Sequence, residues 1–192
     1  MAPYRLLPRG GPVDLCNRAA LAALVRTGPD WYARTVNYLR LPRARLDELR
    51  NSLLALGMAC DGAALGCPSP RLPEPRRFGL VPVPDEFGFP VWTGRRCAEF
   101  AAAQARALSA GLPPGVPGIP VHKLTDGGWL VSRAECASAL AAYRGERARG
   151  TPHPRSFGDD FVTFLTACAG ASGFVVGRAV TARPAQALLD VS

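Results

Sequence analysis

The chain has 192 residues, 48% of them hydrophobic and 20% charged, with 20 Gly, 19 Pro and a formal net charge of +8. That composition supports one ordinary domain or two small ones and excludes a collagen-like or wholly disordered chain. No stretch approaches the ~18 continuous apolar residues of a membrane span. The opening "MAPYRLLPRGGPVD" lacks the apolar core of a secretory signal, so a cytoplasmic protein without membrane contact is expected.

In chain order, residues 14–26, "DLCNRAALAALVR", read as a helix with Asp14 as cap and Gly28-Pro29 as stop. Residues 30–40, "DWYARTVNYLR", read as a second helix, because Tyr32, Val36 and Leu39 share one helical face. A third helix follows Pro42, which suits a first turn because its missing N–H has no partner there anyway. Leu46, Leu49, Leu53 and Leu56 form its apolar stripe, set to pack on Tyr32, Val36 and Leu39. Arg43, Arg45 and Arg50 lie largely off that stripe, with few acids expected beside them.

Four prolines make residues 61–77 a linker or loop. "FGLVPVP" and "GFPVWTG" are extended runs whose prolines restrict them to edge strands or irregular chain. An Ala-rich helix over "RRCAEFAAAQARALSA" ends before Gly111. "IPVHKL" and "GWLV", joined by "TDGG", read as a hairpin. Ser132 and Glu135 then form a capping box for a helix whose apolar face is Cys136, Leu140 and Tyr143. Asp126 makes the turn, Ser132 and Glu135 cap and Cys136 packs, which leaves His122 without an assigned task. After a polar loop over residues 145–158, Asp159 and Asp160 suit a helix N-terminus. Phe161, Leu165 and Cys168 share a face of that helix, and "GFVVG" is a last strand.

Charge is concentrated early. Residues 1–60 hold nine Arg against four acids, for +5; residues 61–120 sum to +1 and residues 121–192 to +2. A solvated surface explains interspersed arginines, yet a basic N-terminal third also attracts phosphate or an acidic protein face. Cys16, Cys60, Cys67, Cys97, Cys136 and Cys168 contain no C-x-x-C pair, and only His122 and His153 offer imidazole. Neither a disulfide framework nor a metal site is expected. No motif of nucleophilic or phosphate chemistry is present. A Cys–His nucleophile pair can be written down, for example Cys67 with His153 as base and Arg76 or Arg77 as positive neighbours.

"DGGWLVSRAECASALAAYR" followed by "FVTFLTACAGASGFVVG" resembles a group of small uncharacterised proteins of high-GC actinobacteria and their mobile elements. In these an Asp-Gly-Trp turn precedes a helix with Glu-Cys, Ala-Leu and Tyr, and a later aromatic helix ends in a Gly-Phe strand. Asp126-Gly127-Gly128-Trp129 and Ser172-Gly173-Phe174 depart slightly from that pattern. The resemblance covers about residues 119–177. It implies an α+β scaffold and a bacterial cytoplasm, and it assigns no activity.

The expected fold is α+β. It comprises a basic helical region (1–60), a Pro/Gly-rich linker (61–77), a small mixed unit with short antiparallel strands and three helices (78–178), and a loose tail (179–192). All four stretches are compatible with one compact domain. The expected function is a non-catalytic interaction protein, without cofactor or metal. It would bind a protein or other anionic partner through Arg43, Arg45 and Arg50. A nucleic-acid-binding protein and a cysteine-dependent enzyme are the alternatives.

Overall fold

A computed structural model describes residues 13–17, 38–67, 69–84, 90–113, 115–152 and 159–178. The fold is α+β. Its strands are Val13–Asn17 (β1), Tyr38–Leu41 (β2), Ala59–Cys60 (β3), Val81–Pro84 (β4), Pro90–Thr93 (β5), Ile119–Pro120 (β6), Trp129–Val131 (β7) and Phe174–Arg178 (β8). Its helices are Arg43–Ala55 (α1), Cys97–Ser109 (α2), Arg133–Ala148 (α3) and Asp159–Gly170 (α4).

The central sheet is antiparallel in the order β2-β1-β8-β7. On one face Val13, Leu15, Val131, Phe174 and Val176 meet the leucine stripe of α1 and the apolar faces of α3 and α4. Burying each such large side chain contributes roughly 1.5–3 kcal/mol, so this shared interior is the main support of the fold. Phe164 of α4 stands edge-on to Phe174 of β8 at 5.2 Å and fixes helix to strand. On the other face Cys16, Leu130 and Val175 are also buried, and α2 packs against β7. Gly173 turns the chain from α4 into β8 at φ +84°, and a Cβ there would lie 2.0 Å from the Val131 carbonyl oxygen. Only glycine fits.

Three expectations are corrected. Residues 14–17 of the first expected helix belong to β1, and residues 38–40 of the second belong to β2; the rest of both lies outside the described residues. Burial of β1 on both faces removes the polar–apolar alternation that marks a strand. Asp14 is therefore no helix cap. It sits opposite Arg40 in the β1–β2 register and accepts a hydrogen bond from Arg40 Nε at 2.9 Å. Finally, the expected hairpin over residues 119–131 does not form. β6 pairs in parallel with β3, a 3-10 turn occupies Val121–Lys123, and β7 pairs with β8.

The third expected helix is α1, with Leu46, Leu49, Leu53 and Leu56 buried and Leu39 packed alongside. Tyr32 and Val36 lie outside the described residues. The strands read in "FGLVPVP" and "GFPVWTG" form a two-stranded antiparallel ribbon, β4–β5. The helix read before Gly111 is α2, and the last helix and strand are α4 and β8. Residues 13–15, 46–59 and 119–176 contribute to one hydrophobic interior, so the described part of the N-terminal third shares its core with the C-terminal half.

Candidate functional site

Three places concentrate polar or exposed chemistry. The first is the corner from His122 to Glu135. Ser132 caps α3: its Oγ accepts from the Glu135 N–H at 3.2 Å, and Glu135 Oε2 accepts from the Ser132 N–H at 2.7 Å. The box read in the sequence is present, with a further member. Lys123 is fully buried, and its Nζ donates to Glu135 Oε1 at 2.8 Å, to Oε2 at 3.0 Å and to the Ser109 carbonyl at 3.3 Å. One ammonium therefore ties the C-terminus of α2 to the N-terminus of α3, where its charge suits the carbonyls ending α2. The His122 ring stands edge-on to Trp129 at 4.8 Å. Its Nε2 is buried with no hydrogen-bond partner among the described residues. Burial, and then the neighbouring Lys123 charge, hold the imidazole below its ordinary value of 6.5 against the opposing pull of Glu135. With three hydrogen bonds inside this corner, Lys123 acts as a clamp between the two helices.

The second place is the α1 surface. Arg45 Nη1 is 3.0 Å from Glu48, Arg50 Nη1 is 3.3 Å from Asp47, and Arg43 Nη1 is 3.9 Å from Asp126 in the turn before β7. The expectation of few acids beside these arginines is therefore corrected. The acids sit three residues along the same helix, or arrive through the fold. Two arginines are consumed in local pairs of the kind worth only a few tenths of a kcal/mol.

The third place is the ribbon β4–β5, whose pairing is Val81↔Thr93, Pro82↔Trp92, Val83↔Val91 and Pro84↔Pro90. Pro82 and Pro84 have no N–H, so the ladder bonds join Val81 to Thr93 and Val83 to Val91. The backbone of Pro82 and Pro84 then faces the free edge with carbonyls alone. Trp92 turns inward onto Leu80, Cys97, Phe78 and Phe100. Val81 and Val83 turn outward and are 58% and 44% exposed. At the ribbon's base Leu80 approaches Gly94, where a Cβ would lie 2.8 Å from Leu80 Cδ2. This contact gathers two Arg-Arg pairs at one end. Arg77 pairs with Glu74, and Arg96 pairs with Glu99 while lying over the Phe78 ring at 5.2 Å. Arg76 and Arg95 are exposed with no carboxylate partner among the described residues. Exposed Val-Pro-Val-Pro was legible as an edge strand, but its meeting with both Arg-Arg pairs required the tertiary contact.

Burial disfavours the thiolate at Cys16, Cys60, Cys136 and Cys168. Burial raises Cys16 and Cys136 to about 12 and pushes Cys168 up further. Cys60 is raised as well, by burial and then by Asp61. Cys67 is partly exposed with its Sγ near the Leu65 carbonyl, while its candidate base His153 lies outside the described residues. Among the described residues no three His, Cys, Asp or Glu side chains gather to hold a metal ion, and no helix is long and apolar enough to cross a membrane. No protein-family model, curated protein or solved structure matches the chain.

Proposed function

We propose that the protein is a non-catalytic interaction protein of a bacterial cytoplasm, whose partner is an anionic face of another protein. One contrast carries this reading. The pairs that bury a charge, Asp14 with the exposed Arg40 and Lys123 with Glu135, are committed to holding the fold, whereas the surface keeps arginines without a carboxylate partner among the described residues, such as Arg76, Arg95 and Arg133, on a chain of net charge +8. Uncompensated charge at a surface steers an oppositely charged partner without requiring reactive groups. The basic N-terminal region takes part in this attraction. In it Arg43, Arg45 and Arg50 add to the attraction, although α1 retains a net charge of only +1 across Arg43, Arg45, Asp47, Glu48 and Arg50.

The test is a binding isotherm at several salt concentrations for parent and for the triple variant Arg43→Gln, Arg45→Gln, Arg50→Gln, which turns α1 from +1 to −2. The probes are a poly-glutamate peptide and a generic double-stranded DNA. Stronger binding of the acidic peptide than of DNA, weakened in the variant with an unchanged melting curve, is the expected result. Equal affinities for parent and variant remove α1 from the binding surface. A steep log-linear salt dependence on DNA alone replaces a protein partner with nucleic acid.

A further inference from the structure

We propose, resting on the interaction reading above, that the outward face of the β4–β5 ribbon docks a protein segment that combines carboxylates with aliphatic or aromatic side chains. Val81 and Val83 are exposed at 58% and 44%, and Val91 is their cross-strand neighbour on the same face. Solvent-facing valines on a paired strand form a patch rather than scattered apolar residues. Arg76 and Arg95 stand at the base of the same ribbon without carboxylate partners among the described residues, beside Arg77 and Arg96, which have theirs. The ribbon therefore offers apolar area with, at its base, guanidinium charge that no carboxylate among the described residues neutralises, and its complement is apolar and acidic.

The ribbon also limits how the partner lies. Pro82 and Pro84 leave the free edge of β4 without N–H donors, so an incoming strand finds acceptors only and strand addition there is blocked. On the β4 side the partner therefore lies across the face and is held side chain to side chain. Nucleic acid is the poorer fit. Stacking needs exposed aromatic rings, and the ribbon's Trp92 is turned onto Leu80 and Phe100.

The experiment pans a random-peptide display library on the immobilised full-length chain, with counter-selection on the double variant Val81→Asp, Val83→Asp. Both positions are exposed, and melting curves confirm that the variant keeps its fold. A labelled synthetic copy of the most enriched peptide is then titrated by fluorescence anisotropy. Ribbon-dependent peptides should be rich in Asp or Glu together with Leu, Ile, Phe or Trp. They should bind the valine variant about tenfold or more weakly, as loss of an interface anchor does. Arg76→Glu, Arg95→Glu should weaken them comparably and make the residual binding less sensitive to salt. The proposal is overturned if no peptide depends on the ribbon, or if the dependent peptides are basic. It is also overturned if sedimentation shows the parent as a dimer and the valine variant as a monomer, which would assign the face to a second copy. Acidic peptides that bind parent and both variants equally remove the ribbon and leave the interaction reading in place, whereas failure to select any acidic peptide removes both.

Discussion

Glu135→Gln is the sharpest test of what holds the corner between α2 and α3. Glu135 is 12% exposed and meets a Lys123 that is 0% exposed, through both carboxylate oxygens. The amide keeps an oxygen for the Ser132 N–H and for one Nζ proton, yet leaves the ammonium buried without a counter-charge. Breaking a buried pair from one side costs roughly 3–5 kcal/mol, and the retained hydrogen bonds place this change at about 3 kcal/mol. At ~2–4 °C per kcal/mol for a chain of this size, the melting temperature should fall by about 6–12 °C. Lys123→Met should cost less, about 1–2 kcal/mol. It removes the fully buried charge, keeps an unbranched side chain in the slot, and leaves Glu135 with the Ser132 N–H and some access to water. The double variant Lys123→Met, Glu135→Gln should sit close to Lys123→Met alone. Urea denaturation of the four proteins, followed by circular dichroism, closes the cycle. The clamp account is refuted if Lys123→Met is the costlier single change, or if the two single effects simply add.

Two further predictions concern titration and thiol access. His122 titrates below 6.5 in the folded chain because burial and Lys123 disfavour its charged form, so between its folded value and 6.5 the unfolded chain binds more protons. Stability should therefore be fully present above 6.5 and decline as pH falls through that window. His122→Phe should flatten this part of the curve relative to parent, and identical slopes for both proteins would refute the assignment. In native buffer an alkylating reagent should modify Cys60 and Cys67, which are partly exposed, well before Cys16, Cys97, Cys136 and Cys168, which are buried. Peptide mapping by mass spectrometry checks the order, and early labelling of Cys136 or Cys168 would show that the interior opens more readily than its packing implies.

How legible the fold was in the sequence depended on whether an element's pattern is local. The leucine stripe of α1, the capping box at Ser132 and the apolar face of α4 all repeat at helical spacing or at a fixed offset, and each is where the spacing puts it. The central sheet was not legible at its N-terminal strand. "VDLCN" is buried on both faces, so it lacks the alternation a half-buried strand shows, and its Asp resembles a helix cap because the partner that explains it, Arg40, is 26 residues away. The same difficulty hid Lys123. As the single lysine of the chain it stood in a stretch read as extended. Its burial depends on a carbonyl from α2 and a carboxylate from α3, which no window around residue 123 contains together.

The candidate surfaces follow the same rule, with the opposite result. On α1 the acids that compensate Arg45 and Arg50 lie three residues away, within reach of a helical-wheel argument, and counting arginines by region concealed them. On the ribbon, local reading gave prolines and hence an edge strand, but not that Arg76 and Arg95 share its base, since the two are 19 residues apart in sequence. A regional charge of only +1 over residues 61–120 therefore coexists with two guanidinium groups that have no carboxylate partner among the described residues, at the base of a ribbon with exposed valines. For a binding surface the position of each charge relative to apolar area decides the partner, and the regional sum does not. The docking face of the β4–β5 ribbon accordingly lies in the least charged third of the sequence.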